Sequence, residues 1–232
     1  MAWSHGSRFD LARHLVAARA GGRLLDYGCG DGTFVAMVHR EFTEACGADV
    51  QPDQIAGCRT RLGDLPGVHF EMTRDLGASA AEAWDVVTCM EVLEHCLEAE
   101  RRRILDQMVH LCAPGGLVII SVPIETGPSL LGKQTVRAIA GLRGLGDYAH
   151  RERYTPLEML RGIAGRAVPR IVFHGQGASG TFPYYGHKGF EWRDVQREIG
   201  ERLVIERRTF SPLPWAGALL NSQAWFVCRR QA

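Results

Sequence analysis

RLLDYGCGDGTF, residues 23–34, is a short apolar run that contains an acid and then meets glycine at every second position, Gly28, Gly30 and Gly32. Lacking a Cβ, these glycines let the backbone turn sharply at the C-terminal edge of a strand and let a ligand approach to van der Waals distance. The stretch therefore predicts a strand, a cofactor-binding turn and, from Thr33 through FVAMVHREF, a helix. A dinucleotide fingerprint asks for a third glycine three residues after the second, where Thr33 stands. Asp26, just ahead of the turn, would also repel a pyrophosphate seated on the helix N-terminus. Both features disfavour a nicotinamide-dependent oxidoreductase. The ligand expected here presents neutral or positive groups.

Outward from the turn, strands are read at Ala45–Val50, Val68–Met72, Trp84–Cys89 and Gly116–Val122, with helices at Pro52–Arg61 and Leu97–Leu111. Strands alternating with helices of about 10–16 residues make parallel βαβ units with right-handed crossovers. The rhythm breaks after Pro123. Residues 125–187 hold two arginine-bearing helical stretches, about Ser129–Leu142 and Pro156–Gly165, and a Gly/Pro/Tyr-rich run, HGQGASGTFPYYGHKG. An interruption of that length inside an α/β domain is expected to be a substrate-binding cap rather than a structureless loop. A helix at Trp192–Glu201 and strands at Leu203–Phe210 and Ser222–Cys228 follow; with no helix between them, the two strands form an antiparallel edge.

Over 232 residues, 27 Lys+Arg face 26 Asp+Glu, 46% of positions are hydrophobic and 23% charged. This composition excludes disordered and fibrous classes, and the length suffices for one core, so residues 1–232 are expected to form a single domain. A net charge of +1 supplies no global field for gripping a phosphate backbone, which argues against a nucleic-acid partner. Seven scattered cysteines, none in a CxxC pair, support neither a zinc ribbon nor a disulfide framework and fit a reducing compartment. No apolar run approaches the ~18 residues of a bilayer span, and the amino terminus lacks a secretory pattern. A cytoplasmic protein is expected, with contact at a membrane surface left open and the oligomeric state unread.

Asp49 falls near the end of the second strand, 21 residues beyond Gly28 (49 − 28). That is the spacing at which a carboxylate accepts hydrogen bonds from ribose hydroxyls. A ligand that joins a ribose to a cationic group points to S-adenosylmethionine, its ammonium facing Asp26 and its ribose held by Asp49. Taken singly, either acid also reads as a helix cap or turn residue; set in the βαβ rhythm they read as one site.

With DYGCGDG at the first turn, GADV at the second strand end, WDVVTCMEVLEHC at the fourth strand and PGG before the fifth, the chain resembles the class I S-adenosylmethionine-dependent methyltransferases. The resemblance covers residues of about 20–124 and, in part, 188–230. It implies an α/β, Rossmann-like, seven-stranded, mostly parallel sheet in the order 3-2-1-4-5-7-6, with strand 7 antiparallel. It also implies cofactor contacts from Asp26, Tyr27, Gly28, Cys29, Gly30, Gly32, Asp49, Val50, Met90 and Glu91, and from Asp75 toward adenine.

Methyl transfer from a sulfonium is an in-line displacement, so the protein aligns nucleophile, carbon and sulfur, and removes the acceptor's proton when that acceptor is a hydroxyl. Ligands of open α/β sheets sit beyond the carboxyl ends of the strands, where Cys89-Met90-Glu91-Val92-Leu93-Glu94-His95 falls. Glu91, Glu94 and His95 stand at i, i+3 and i+4 and would share one face of a helix. Two carboxylates and an imidazole there are a candidate site for a divalent metal with open positions for acceptor oxygens. The same string also reads as a helix cap that packs the cofactor. EVLEH resembles the string of ubiquinone-biosynthesis O-methyltransferases and, with a further His, that of small-RNA 3′-end methyltransferases, where it implies metal-assisted methylation of vicinal hydroxyls. Cys96 stands in place of that second His.

Candidate catalytic residues are His187, Glu91 and, in DYAHRERYTP, His150. In SLLGKQTVRAIAGLRGL, residues 129–145, Leu130, Val136, Ile139 and Ala140 are expected to roof the acceptor, a membrane-surface helix being the other reading. The leading expectation is O-methylation of a small-molecule acceptor. A nucleic-acid methyltransferase and a non-catalytic S-adenosylmethionine-binding module are the alternatives, the first lacking both a basic tract and an NPPY-like stretch after the fourth strand.

Overall fold

Adjacent residues of a strand face opposite sides of its sheet, and both sides of β1 (Arg23–Tyr27) are buried. Leu24 joins a cluster with Ala12, Leu15, Phe34 and Ile55, whereas Leu25 and Tyr27 join another with Leu105, Met108, Val195 and Ile199. Two-sided burial belongs to a parallel sheet covered by helices on both faces. The computed structural model, which describes residues 2–77, 81–142, 153–177 and 180–231, has this architecture.

The remaining strands of the sheet are β2 (Glu44–Asp49), β3 (Val68–Met72), β4 (Trp84–Met90), β5 (Cys112–Pro123), β8 (Val204–Ser211) and β9 (Gln223–Arg229). Helices α1 (Ala2–Val16), α2 (Thr33–Val38) and α3 (Pro52–Leu62) precede β1, β2 and β3, and their buried residues cover one face; α4 (Glu98–Leu111) and α7 (Trp192–Gly200) cover the other. The order is β3-β2-β1-β4-β5-β9-β8. Pairs from β3 through β5 are parallel, while β9 runs antiparallel to both β5 and β8. Counted within this sheet, β9 is the seventh strand and β8 the sixth, so the order matches 3-2-1-4-5-7-6. The PGG run read as preceding the fifth strand lies instead inside β5, where the register jumps from Trp84↔Cys112 to Val86↔Leu117.

Between β5 and α7 lie α5 (Ser129–Leu142), α6 (Pro156–Ile163) and a separate hairpin, β6 (Val172–Gly177) and β7 (Gly180–Tyr185). Thr155 and Glu158 form a capping box at the start of α6, satisfying two otherwise orphaned amides. Leu130 is fully buried, and the Leu130 side chain packs where Gly162 lacks a Cβ. The side chains of Val136, Ile139 and Ala140 lie outside the described residues. The hairpin carries no strong strand signal because Gly175, Gly177 and Gly180 dilute its alternation; the Phe182 ring sits opposite Gly175 in register and covers it, a cross-strand aromatic–glycine pairing. Among the described residues, no helix is long and apolar enough to cross a membrane.

α4 and α7 are joined by a buried bidentate pair, Arg101 Nε donating to Glu198 Oε2 at 2.7 Å and Nη2 to Oε1 at 2.6 Å. Removing one partner strands a buried charge. Arg101→Ala is expected to lower stability by about 3–5 kcal/mol, and the double variant Arg101→Met/Glu198→Leu to recover most of the loss. Urea denaturation of the parent and the two variants checks this; equal losses in the single and double variants would contradict it.

Candidate active site

Beyond Tyr27 the chain turns through Gly28 at φ 81° and Gly30 at φ 53°, a region costly to any residue with a Cβ. Gly28 N–H donates to Ala48 O at 2.7 Å, Gly30 N–H to Asp49 Oδ2 at 3.0 Å, and Gln51 N–H to Asp49 Oδ1 at 2.9 Å. Each Asp49 oxygen accepts one bond from the backbone and, as a carboxylate oxygen, can accept another. A Cβ on Gly30 would meet nothing within 4 Å, whereas one on Gly28 would strike Val92 Cγ2 and one on Gly32 would meet Leu62 and Phe70 at 2.9 Å. Gly30 thus leaves the cleft open, while the other two admit neighbouring elements against the turn.

The other expected cofactor residues divide by position. Val50, beside Asp49, is exposed. Asp75 is exposed next to Arg74, at 3.8 Å, in the turn that follows β3. The Tyr27 side chain points into the core on the α4 side, where its hydroxyl donates to Gln107 Oε1 at 2.9 Å. The Cys29 thiol is packed toward Gly47, and burial pushes its pKa far up. Met90 is half-buried against the α1-side cluster.

On the face covered by α1, the apolar series Leu24, Val86 and Ile119 gives way two residues on to Asp26, Thr88 and Ser121, all buried. Thr88 Oγ1 donates to Asp26 Oδ1 at 2.6 Å. Desolvation nevertheless raises the Asp26 pKa to about 7; the Thr88 bond opposes it, the Asp49 charge adds to it and Arg8 of α1 subtracts. Ser121 Oγ lies 3.4 Å from Glu91 Oε1, and Glu91 N–H donates to Ser121 O at 3.0 Å. Burial also raises the Glu91 carboxyl, against the charges of Lys133 and Arg8 and a bond from Gln223. Arg8 thus acts on both acids, though no motif marks it in the sequence.

The EVLEH string does not form a helix. Glu91 has φ 57°, a left-handed conformation that breaks the chain at a cost of about 1–3 kcal/mol, and α4 begins only at Glu98. Between them His95 N–H donates to Val92 O at 3.0 Å and Cys96 N–H to Leu93 O at 3.3 Å. The shared helical face expected for Glu91, Glu94 and His95 is therefore not made. Glu91 stays against Ser121, and among the described residues it is Glu94, His95 and His187 whose ligand atoms lie within 4.8 Å of one another. His150 lies outside the described residues.

Glu94 is wholly buried; among the described residues neither carboxylate oxygen has a hydrogen-bond partner, and His95 Nε2 lies 3.8 Å from Oε1. Burial pushes its carboxyl well above the usual range, and the Glu91 charge adds to the shift. His95 Nδ1 sits 2.9 Å from Tyr185 O, and Tyr185 N–H donates to His95 O at 2.8 Å. A carbonyl only accepts, so in the neutral ring Nδ1 carries the hydrogen and Nε2 keeps its lone pair toward Glu94. The rings of His95 and His187 meet edge to face, centroids 4.8 Å apart. A buried carboxylate without hydrogen-bond partners, beside an imidazole lone pair and a second imidazole, suits a divalent cation; His187 takes the place expected for Glu91.

The family model described as "Methyltransferase domain" matches residues 6–163, more than half of the chain. The chain belongs to the class I, S-adenosylmethionine-dependent methyltransferase family. This methyltransferase is 28% identical over 163 residues to the ubiquinone biosynthesis O-methyltransferase of Serratia proteamaculans (strain 568), covering 67% of each chain. To the enzyme of the same name from Salmonella arizonae (strain ATCC BAA-731 / CDC346-86 / RSK2980) it is 35% identical over 131 residues, covering 50% of each. It thus spans half to two thirds of these curated relatives. The crystal structure of the N-methyltransferase NodS from Bradyrhizobium japonicum WM9 in complex with S-adenosyl-L-homocysteine superposes with a TM-score of 0.58 at 17% identity, covering 97% of this chain and 86% of that one. That likeness is one of fold.

Asp26 carries a pH signature. Its pKa is raised from 3.8 in the unfolded chain to about 7 in the folded one, so its contribution to stability is present below about pH 4 and is lost as pH rises through about 7. Asp26→Asn, which cannot ionise, is expected to flatten the fall of the urea midpoint across that window; an unchanged pH slope would contradict the assignment.

Proposed function

We propose that this methyltransferase acts on oxygen, moving the methyl group of S-adenosylmethionine to a hydroxyl of a small acceptor, with Glu94, His95 and His187 as the reactive cluster. The observation that carries the reading is Glu94: a fully buried carboxyl whose two oxygens find no hydrogen-bond partner among the described residues and which faces two imidazoles. Groups of this kind cost stability and recur where chemistry is done. The printed names of the O-methyltransferase relatives support oxygen as the acceptor atom.

In this reading the cofactor lies across the tips of β1 and β2, its ribose hydroxyls donating to the free lone pairs of Asp49 and its adenine beside exposed Val50 and Asp75. Its amino-acid tail enters the polar strand ends on the α1 face, where Asp26 complements an ammonium and Arg8 a carboxylate. Val92 packs on Gly28, so the turn that carries Glu94 and His95 touches the cofactor turn. The sulfonium methyl and the acceptor oxygen meet in that corner.

Transfer proceeds in line. The oxygen's electron pair forms the O–C bond, the C–S pair returns to sulfur to leave S-adenosylhomocysteine, and the hydroxyl proton passes to an imidazole, His187 or His95 Nε2. Glu94 stabilises the resulting imidazolium. A divalent cation held by Glu94, His95 and His187 would take up those imidazole lone pairs in place of the proton and would supply a Lewis acid that lowers the pKa of the acceptor hydroxyl, whose proton would then leave to solvent. In this reading the described part of residues 125–187 serves as the cap, and its hairpin brings His187 and the Tyr185 carbonyl to the site.

Asp49→Ala is expected to weaken S-adenosylhomocysteine binding by about 1–3 kcal/mol through lost charge-assisted bonds; unchanged affinity by calorimetry would reject the ribose role. His187→Ala and Glu94→Gln are each expected to lower the rate of methyl transfer to catechol by about 10²-fold or more while cofactor affinity holds. Full activity in either variant would reject the cluster. Methylation of aniline but not of catechol would reject oxygen as the acceptor atom.

A further inference from the structure

The reactive cluster is assembled from two segments far apart in the chain. Glu94 and His95 lie in the turn after β4, and His187 follows β7 by two residues. Among the described residues β7 pairs with β6 and not with the main sheet. No shared ladder therefore holds the hairpin end against the β4 turn; one backbone bond, Tyr185 N–H to His95 O at 2.8 Å, and side-chain contacts do so.

We propose that Arg170 is the positioning residue that builds the cluster, tying the turn that carries His95 to the turn that carries His187. The proposal rests on the reading of Glu94, His95 and His187 as the reactive cluster. Arg170 lies between α6 and β6 and is half-buried. Its Nη2 donates to Glu94 O and to Gly186 O, the latter at 2.9 Å. These carbonyls belong to the residues immediately before His95 and His187. One guanidinium thus grips the backbone at the same offset from each imidazole. Its carbon also lies 4.1 Å from the Tyr185 ring centroid and 5.1 Å from that of Phe190, so a residue on either side of His187 packs against the same cation.

The chemistry favours arginine here. A planar guanidinium donates in fixed directions while its faces stack on aromatic rings, and the bonds are charge-assisted. A lysine ammonium in the same place is a point charge without the planar fork. Among the described residues the guanidinium touches the two carbonyls and the two rings, and its charge also acts on the Glu94 carboxyl, so it positions the two histidines while bearing on the third member of the cluster. The hydrogen bonds between Tyr185 and His95 run beside it. Seating of the insertion and completion of the cluster are then one event, because the segment between α6 and β6 carries the clasp.

The test needs no known acceptor. In protein labelled with ¹³C-histidine, rings whose centroids lie 4.8 Å apart give a nuclear Overhauser cross-peak between His95 and His187, assigned with His95→Gln and His187→Gln. The cross-peak is expected in the parent, lost in Arg170→Met and reduced by more than half in Arg170→Lys, with S-adenosylhomocysteine affinity unchanged within about twofold. With catechol as probe, kcat is expected to fall about ten- to a hundredfold in Arg170→Met, and the Arg170→Met/His187→Ala double variant to lose no more than His187→Ala alone. An intact cross-peak in both Arg170 variants, or losses that multiply in the double variant, overturns the proposal. Should Arg170→Met fail to fold, Arg170→Lys decides by the same cross-peak. Full activity of His187→Ala would instead remove the reactive-cluster reading, and the cross-peak would still report whether Arg170 holds the two turns together.

Discussion

Asp49 accepts a hydrogen bond from Gly30 on one carboxylate oxygen and from Gln51 on the other, so a single side chain fixes the glycine turn of β1 against the tip of β2. The shape of the front edge follows from that clamp. Gly28 can lie close under Val92 because it has no Cβ, which brings the turn after β4 down onto the turn after β1. Cys58 on α3 adds a contact to Gly30 O at 3.3 Å from the far side. The turns after β1 and β4, the proposed cofactor cleft and reactive turn, are thereby brought into contact by backbone amides on Asp49 and by Val92 over Gly28.

Along this edge the two faces of the sheet differ. Tyr27, Cys89 and Val122 keep the α4 side apolar to the strand ends, while Asp26, Thr88 and Ser121 make the α1 side polar. Putting acids there is unfavourable in the free protein: Asp26 is raised to about 7 and Glu94 well above its usual range by loss of water. Such unfavourable groups persist in proteins chiefly where a ligand compensates them. The site therefore carries its electrostatic strain in places that a cationic tail, a proton or a metal would relieve. Elsewhere among the described residues buried charges are paired, Arg101 with Glu198, Glu125 with Lys133 and Lys188 with Glu158.

The sheet was legible in the sequence because its signals are local: apolar runs of strand length, glycines at a strand end, an acid at the next strand end. The hairpin of β6 and β7 was not, since a feature that marks it is Phe182 lying over Gly175, a pairing across the strands that shows only once their register is known. EVLEH misled in the opposite direction. Its spacing suits a helix, but Glu91 adopts a left-handed backbone that residue type does not announce. His187 could be singled out as a base, yet its approach to Glu94 and His95 depends on the hairpin and on contacts from Tyr185. Tyr27 sits among cofactor residues in the sequence, but strand alternation turns its side chain to the other face. Arg8 was invisible for a related reason, being defined by what α1 packs against.

A crystal structure with S-adenosylhomocysteine bound tests the central claim most directly. The account predicts ribose hydroxyls on Asp49, the amino-acid tail between Asp26 and Arg8, and the sulfur facing open space bordered by Glu94, His95 and His187. A sulfur directed away from that cluster, with the three side chains sealed off from the cofactor by intervening core, would contradict it.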